Sequence, residues 1–344
     1  MVMNTSRSSE TIRKTPFHFD NYVLHLPQHK KSFDHSFGEW FLGFTEGDGN
    51  FQVQLLDDNI TSQELARPRT RQYFTIHQKD PKVLYYIRDH LGFGHITPHY
   101  YITRDNTRID YFRYRVSDQE NIDRLIFLFN GNIILNKVYS RFRRFLQARN
   151  TRDGVHQIQC MPQNDQFHCE GNAWLSGFID AEGCFYIRKQ KEARYSLGFR
   201  IRCLFILDQK GEKWFFEKIR DEFLRSGSIT LRRKPAPSNE SGHELPEPLR
   251  GEAPSEPQDV SGTFRYTCTD LMVLRDILFP YMRRYPLRSA KSVDWIRFSR
   301  MMFYMINRKT LPWEGKVLQR VLNIVKRSHA QIKPLTLTSQ ESTN

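Results

Sequence analysis

The sequence predicts an α+β protein made of two pseudo-symmetric repeats, each in the order α-β-β-α-β-β-α, with two antiparallel sheets backed by helices. Three observations predict it. A nine-residue signature occurs twice: Phe41-Leu42-Gly43-Phe44-Thr45-Glu46-Gly47-Asp48-Gly49 returns as Leu175-Ser176-Gly177-Phe178-Ile179-Asp180-Ala181-Glu182-Gly183. Each copy follows a tryptophan, Trp40 or Trp174, and runs into an alternating stretch, Phe51-Gln52-Val53-Gln54 or Phe185-Tyr186-Ile187-Arg188. A second register agrees further on, where Phe112-Arg113-Tyr114 with Asp118 answers Phe264-Arg265-Tyr266 with Asp270 at one offset. A repeat of this size defines the architecture before any residue has a role.

Each signature reads as a helix that ends at its last glycine. Apolar residues at 40, 41 and 44, and at 174, 175 and 178, have helical spacing. Gly43 and Gly47 share a helix face, as do Gly177 and Ala181, and such small residues let two helix backbones approach closely. These four form the expected helix-pair interface. Gly49 and Gly183 are expected in the left-handed conformation that commonly closes a helix.

After the first alternating strand comes a second, near Gln72–Gln78. An amphipathic helix follows, with Asp80 as N-cap, Pro81 in the first position, and Val83, Leu84, Tyr86, Ile87 and Leu91 on its apolar face. Gly92-Phe93-Gly94 ends it. In the second repeat Phe199–Leu207 is the strand, and Trp214, Phe215, Lys218, Ile219 and Phe223 lie on a helix ending near Gly227. The expected organisation is an N-terminal extension (1–34), a first repeat (35–148), a linker (149–170), a second repeat (171–330) and a tail (331–344).

The 344 residues carry a formal charge of +14 and a pI near 9.6, room for two domains and a surplus that favours a polyanionic partner. Residues 235–262 hold six prolines, six acids and one arginine, and are expected to form a disordered surface loop interrupting the second repeat. Their net charge of −5 leaves +19 for the rest of the chain, so the basic surface exceeds what the total implies. No apolar run is long enough to span a bilayer, which argues against an integral membrane protein. The five cysteines, Cys160, Cys169, Cys184, Cys203 and Cys268, lack a CxxC pair and read as free thiols of a reducing compartment. His156, Cys160, His168 and Cys169 match no standard zinc spacing. The first sixteen residues lack the apolar core of a secretory signal, and support a transit peptide only weakly.

Asp48 and Glu182 stand at the same point of the two signatures. A carboxylate at a helix C-terminus opposes the partial negative charge there and costs about 0.3–1 kcal/mol. If the two helices pack side by side, their acid-bearing ends converge, and a divalent metal held by oxygen ligands offsets the charge.

Strands in a helix-backed sheet alternate between a buried and an open face. Phe199, Ile201, Cys203 and Phe205 form a buried set, which leaves Arg200 and Arg202 on the open face. Gln52 and Gln54 alternate with Phe51, Val53 and Leu55, while Tyr186 and Arg188 alternate with Phe185 and Ile187. Arg69 and Arg71 lead into the next strand, and Arg232 belongs to the same expected DNA-binding set. Arg suits guanine O6 and N7, and Gln suits adenine N6 and N7.

With both signatures in view, the chain resembles the LAGLIDADG family of homing endonucleases and intron maturases, in its two-motif, single-chain form, over roughly residues 35–330. Leu42, Glu46 and Glu182 depart from the name-giving letters, departures that are ordinary in the family and keep the chemistry of each position. The resemblance implies a saddle of two sheets over the major groove, with the motif helices above the minor groove. It implies a monomeric endonuclease on a long, asymmetric double-stranded DNA target, hydrolysing phosphodiester bonds and leaving 3′ overhangs, in the service of intron homing. Asp48 and Glu182 would hold Mg²⁺, with Mn²⁺ or Ca²⁺ able to substitute in binding. Gln78 and Gln209, each followed by a lysine, match a place where the family orders water, and Lys137 and Lys291 match its basic residue near the scissile phosphate. Glu46 and Asp180 are expected to make structural hydrogen bonds at the helix pair rather than bind metal.

The resemblance also implies an organellar intron gene, in a mitochondrion or chloroplast. The alternative is an intron RNA maturase on the same scaffold, with or without cleavage and with host intron RNA as partner. Retention of both acids disfavours a third reading, a non-cleaving DNA-binding regulator. The Asp48/Glu182 mismatch leads us to expect unequal nicking of the two strands.

Overall fold

The computed structural model describes residues 16–55, 70–103, 106–152, 155–232 and 262–330. Arg69 and nearly all of the acidic stretch 235–262 lie outside the described residues. The chain divides into two compact units, Met1–Ala181 with Arg284–Ala290, and Glu182–Arg283 with Lys291–Asn344.

In the first unit, α1 (Asp20–Leu24) precedes the first signature helix, α2 (His35–Asp48). Asp34 caps α2, its carboxylate accepting from the amides of Ser36 (2.9 Å) and Phe37 (3.2 Å). The chain passes directly into β1 (Gly49–Leu55), then β2 (Thr70–Gln78), α3 (Lys82–Leu91), β3 (His95–Ile102), β4 (Arg108–Val116), α4 (Gln119–Phe129) and α5 (Asn136–Asn150). The sheet is fully antiparallel in the order β1-β2-β4-β3. Its covered face carries Phe51, Phe74, Ile76, Tyr114 and Val116. Phe51 meets Phe129 of α4 and Phe142 and Phe145 of α5, so one strand residue joins the sheet to both helices. The second signature helix, α6 (Trp174–Glu182), also packs in this unit up to Ala181.

The second unit repeats the frame. β5 (Gly183–Lys191) and β6 (Phe199–Lys210) are followed by α7 (Lys213–Lys218), which widens into a π-helical turn over Ile219–Leu224. Then come β7 (Ser228–Arg232), β8 (Thr263–Cys268) and α8 (Leu271–Val273). A second π-helical turn (Leu274–Leu278) leads to α9 (Phe279–Arg284), α10 (Lys291–Ile306) and α11 (Gly315–Ala330). The sheet order is β5-β6-β8-β7, the same path with every pair antiparallel. Phe185 packs on Trp295 and Phe298 of α10, as Phe51 packs on α5. The sequence therefore does encode two αββαββα repeats.

Several details differ from expectation. Gly49 is extended (φ −79°, ψ 150°), not left-handed. Glycine is needed there for room, because a Cβ would lie 2.4 Å from Thr45 Cγ2 and 2.7 Å from Thr45 O as helix turns straight into strand. Pro81, not Asp80, is the N-cap of α3, although Asp80 still accepts from the Lys82 amide at 3.0 Å. β6 runs on to Lys210, beyond the expected Leu207. Val53 is 40% exposed because β1 is an edge strand that outruns its helical cover. Phe199, at the start of β6, is half-buried and lies under the Lys189 ammonium, 4.3 Å from its ring centre.

Candidate active site and nucleic-acid interface

The two signature helices meet backbone to backbone. A Cβ on Gly43 would lie 1.9 Å from the carbonyl oxygen of Trp174, and one on Gly177 would lie 1.9 Å from that of Trp40. Only glycine permits this approach at either place. Gly47 and Ala181 follow one turn later on the same faces and are half-buried.

The same pair is tied by two crossed hydrogen bonds. Trp40 Nε1 donates to Asp180 Oδ2 at 3.0 Å, and Trp174 Nε1 donates to Glu46 Oε1 at 2.9 Å. Both carboxylates are buried. Glu46 also accepts from the amides of Ile134 (3.1 Å) and Leu135 (2.6 Å). Asp180 accepts from the amides of Arg288 (2.5 Å) and Ser289 (3.2 Å) and from the Ser289 hydroxyl (2.5 Å). Burial pushes the Asp180 carboxyl up, and its hydrogen bonds from Ser289, Arg288 and Trp40 oppose the rise.

Asp48 is the last residue of α2, and Glu182 the last of α6. Pairing of Gly49 with Ile76 brings the end of β2 beside Asp48, and Gln78 Nε2 donates to Asp48 Oδ2 at 2.6 Å. In the second unit Gly183 pairs with Leu207, which sets Gln209 at the matching register beside Glu182. The Gln209 side chain accepts from the Lys210 amide at 3.1 Å. Lys137 is exposed as the second residue of α5, and Lys291 is the half-buried first residue of α10. Burial pushes the Cys184 thiol up, while Lys291 and Arg265 pull it down, so the Lys291 ammonium acts on the residue two places after Glu182.

The donor set fits a small hard cation. Among the described residues no three His, Cys, Asp or Glu side chains cluster as a metal cage. Mg²⁺ commonly takes one or two carboxylates and completes its shell with water and substrate phosphate. A half-exposed aspartate at a helix end, with a glutamine amide fixing one oxygen, suits that role.

On the first sheet's open face, Gln52 and Gln54 are exposed, and Gln54 Oε1 accepts from Tyr73 OH at 3.2 Å. Arg71 pairs with Gln54 across the ladder. In the second sheet Arg188 stands opposite Arg202, both exposed, with Arg200 and Tyr186 half-buried and Arg232 exposed on β7. Three further groups lie on or beside these faces and were not named as binding residues from the sequence. Arg141 and Arg144 of α5 line one recess with Gln52, Gln54 and Tyr73. Arg115 lies over the Tyr73 ring at 3.9 Å. Arg113 and Arg265 occupy matched positions, Arg113 opposite His77 and Arg265 opposite Asp208. The alternation Tyr111, Arg113, Arg115 in β4 was the signal that could have revealed the last two groups.

Comparison with known proteins agrees with this geometry. The family model described as LAGLIDADG endonuclease matches residues 41–149 and 175–239, together half of the chain. A probable intron-encoded endonuclease 4 of Neurospora crassa is 34% identical over 183 residues, which is 50% of this chain and 28% of that protein. An intron-encoded RNA maturase bI4 of Saccharomyces cerevisiae is 25% identical over 240 residues, 63% of this chain and 33% of that protein. The chain thus spans about a third or less of the length of these two relatives. The solved structure of I-SmaMI bound to uncleaved DNA target in the presence of calcium ions shares the fold, with a TM-score of 0.59 and 16% identity, covering 84% of this chain and 97% of that one. The doubled signature, the doubled sheet and the match across both repeats establish that the chain belongs to the LAGLIDADG endonuclease family.

Proposed function

We propose that this protein is a site-specific, double-strand DNA endonuclease in which Asp48 and Glu182 are the catalytic acids. One observation carries the reading. Each signature helix touches the other at a glycine, and each ends in an acid five residues beyond that glycine. Five residues are about 7.5 Å of helix, little past the point of closest approach.

Asp48 and Glu182 would hold Mg²⁺, with Mn²⁺ or Ca²⁺ able to take its place in binding. When bound, such a metal activates water and neutralises charge on phosphoryl oxygens. The chain's own residues do the rest. Gln78 orients the Asp48 carboxylate and offers its remaining polar atoms to the attacking water, and Gln209, at the matching register, would order water in the second half. Lys137 and Lys291 neutralise charge at the two scissile phosphates. The open-face residues Gln52, Gln54, Arg71, Tyr186, Arg188, Arg200, Arg202 and Arg232 read base edges and phosphates, and two unlike halves remove the need for a palindrome. Hydrolysis leaves 3′ overhangs, and the biological role is intron homing by a monomeric, organelle-encoded protein.

The test is cleavage of a randomised duplex library with Mg²⁺, with the ends mapped by sequencing. A single long, asymmetric site with staggered cuts is expected. No cleavage under any divalent metal would overturn the reading.

A second reading, RNA binding in the manner of a maturase, is favoured by one observation in the second unit. α10 and α11 enclose a groove of about 590 Å³ lined by Arg297, Arg300, Arg320 and Arg327 together with Phe303 and Tyr304. Guanidinium groups and the exposed Phe303 ring suit a single-stranded nucleic acid. If RNA binds there, Arg300→Glu with Arg327→Glu abolishes RNA binding and leaves DNA cleavage intact. RNA binding unchanged by that pair would remove this reading.

A further inference from the structure

The two buried motif carboxylates are matched in more than their place in the signature. Glu46 accepts the amides of Ile134 and Leu135, and Lys137 follows two residues after the second of these. Asp180 accepts the amides of Arg288 and Ser289, and Lys291 follows two residues after the second of these. Each carboxylate therefore grips the backbone just before the helix that carries one lysine. In the first half the grip replaces a missing local cap: Leu135 is the N-cap of α5 and has no side-chain hydrogen bond to give.

The ties to tryptophan are crossed. Glu46, in the first signature, takes its indole N–H from Trp174 of the second. Asp180, in the second signature, takes its indole N–H from Trp40 of the first. A buried carboxylate is expensive to desolvate, and apolar packing would hold two helices together at lower cost. Hydrogen bonding from two directions does what apolar packing cannot. It fixes the direction of the carboxylate, and through it the register of the lysine-bearing helix.

We propose that Glu46 and Asp180 are positioning residues that aim Lys137 and Lys291, and that Trp40 and Trp174 make the aim of each lysine depend on the other half's signature helix. The proposal rests on the nuclease reading, and goes beyond it by assigning each tryptophan to the lysine of the opposite half. Trp40 serves Lys291, and Trp174 serves Lys137.

The experiment is single-turnover cleavage of the target recovered from the library, with the two strands carrying different labels. Lys137→Met and Lys291→Met first establish which strand each lysine serves. Trp40→Phe, which keeps most of the ring volume but removes the N–H, is then expected to slow the Lys291 strand about three- to tenfold relative to the other strand. Trp174→Phe is expected to slow the Lys137 strand to a similar degree. The ratio of two strand rates in one tube does not depend on the fraction of protein folded, so general destabilisation does not imitate the result. Ser289→Ala removes the hydroxyl bond to Asp180 and keeps the backbone one, and is expected to bias the same strand as Trp40→Phe by a smaller factor.

Equal slowing of both strands by each tryptophan variant would overturn the proposal. So would a pattern in which Trp40→Phe copies Lys137→Met, or lysine variants without strand bias. If the unaltered protein cuts neither strand, the nuclease reading fails first, and that outcome is distinguishable from all of these.

Discussion

The open faces of the two sheets share one frame and arm it differently. The residue before the matched-register glutamine is His77 in the first sheet and Asp208 in the second, and across the ladder stand Arg113 and Arg265. Asp208 accepts from Arg265 Nε and Nη2, both at 2.7 Å, and from Arg232 Nη1 at 3.3 Å. The Arg265 guanidinium is thus pinned by two parallel bonds, the strong planar form of this pair. Arg113 faces two histidines instead, with its Nη2 3.1 Å from His99 Nδ1. Counting the arginines and the aspartate alone, both groups carry a single net positive charge. They differ in how tightly an arginine is aimed, which matters for a side chain that would read a base edge. By contrast, the frame below is kept. Tyr114 OH donates to Phe93 O at 2.9 Å, and Tyr266 OH donates to Ser226 O at 2.6 Å. Each tyrosine ring packs against a left-handed glycine, Gly94 or Gly227. The repeat holds its architecture and lets the open faces of its sheets diverge.

The largest effect we expect tests the shared frame. Gly43→Ala and Gly177→Ala each drive a methyl group into an opposing carbonyl at 1.9 Å. Each should cost about 3 kcal/mol or more, at the upper end for overpacking, and by similar amounts. Thermal unfolding measures this. A clear loss for one variant with none for the other would break the twofold match.

The next effect separates the faces. Asp208→Ala releases Arg265 and Arg232 and removes a negative charge. If the pinned Arg265 also reads a base, affinity for unrelated DNA should rise while discrimination at that base pair falls about tenfold, within the ~1–3 kcal/mol of a good bidentate contact. His77→Ala should change discrimination less than threefold. Binding to a set of singly substituted targets compares the two, and equal losses would show that the faces work alike.

The smallest effect is one of pH. Partial burial, and then the charges of Arg113 and His99, hold the His77 imidazole below its ordinary value, so it is neutral at pH 7 in the free protein. DNA phosphate favours the protonated form. Protons are then taken up on binding, and affinity rises as pH falls below the ordinary histidine value toward 5. His77→Asn should flatten that slope in competition binding, and a wild-type profile without slope would remove His77 from the interface.

Much of this was legible in particular residues. The glycines at 43 and 177 announced a close helix contact because nothing else explains small residues repeated among large apolar ones. Alternation placed Gln52, Gln54, Arg188 and Arg202 on exposed surfaces. Alternation failed at Val53 and Phe199, where a strand edge or end lacks helical cover. The partners of Glu46 and Asp180 could not be read, because residues 134–135 and 288–289 reach them only through tertiary packing. Gln78 was marked by its place at a strand end, and the ladder register then put its amide on Asp48. Arg113 and Arg265 were visible as a matched register, but their opposite partners depend on which strands pair.

The central claim is that two helix-terminal acids perform the chemistry while the sheets perform the binding. It is tested most directly by measuring binding and cleavage of one target by Asp48→Asn and Glu182→Gln beside the unaltered protein. The account predicts that both variants bind within about threefold of the parent and lose at least about a thousandfold in cleavage rate, roughly 4 kcal/mol of barrier. Cleavage at the parental rate by either variant, or binding lost together with the fold, would contradict it.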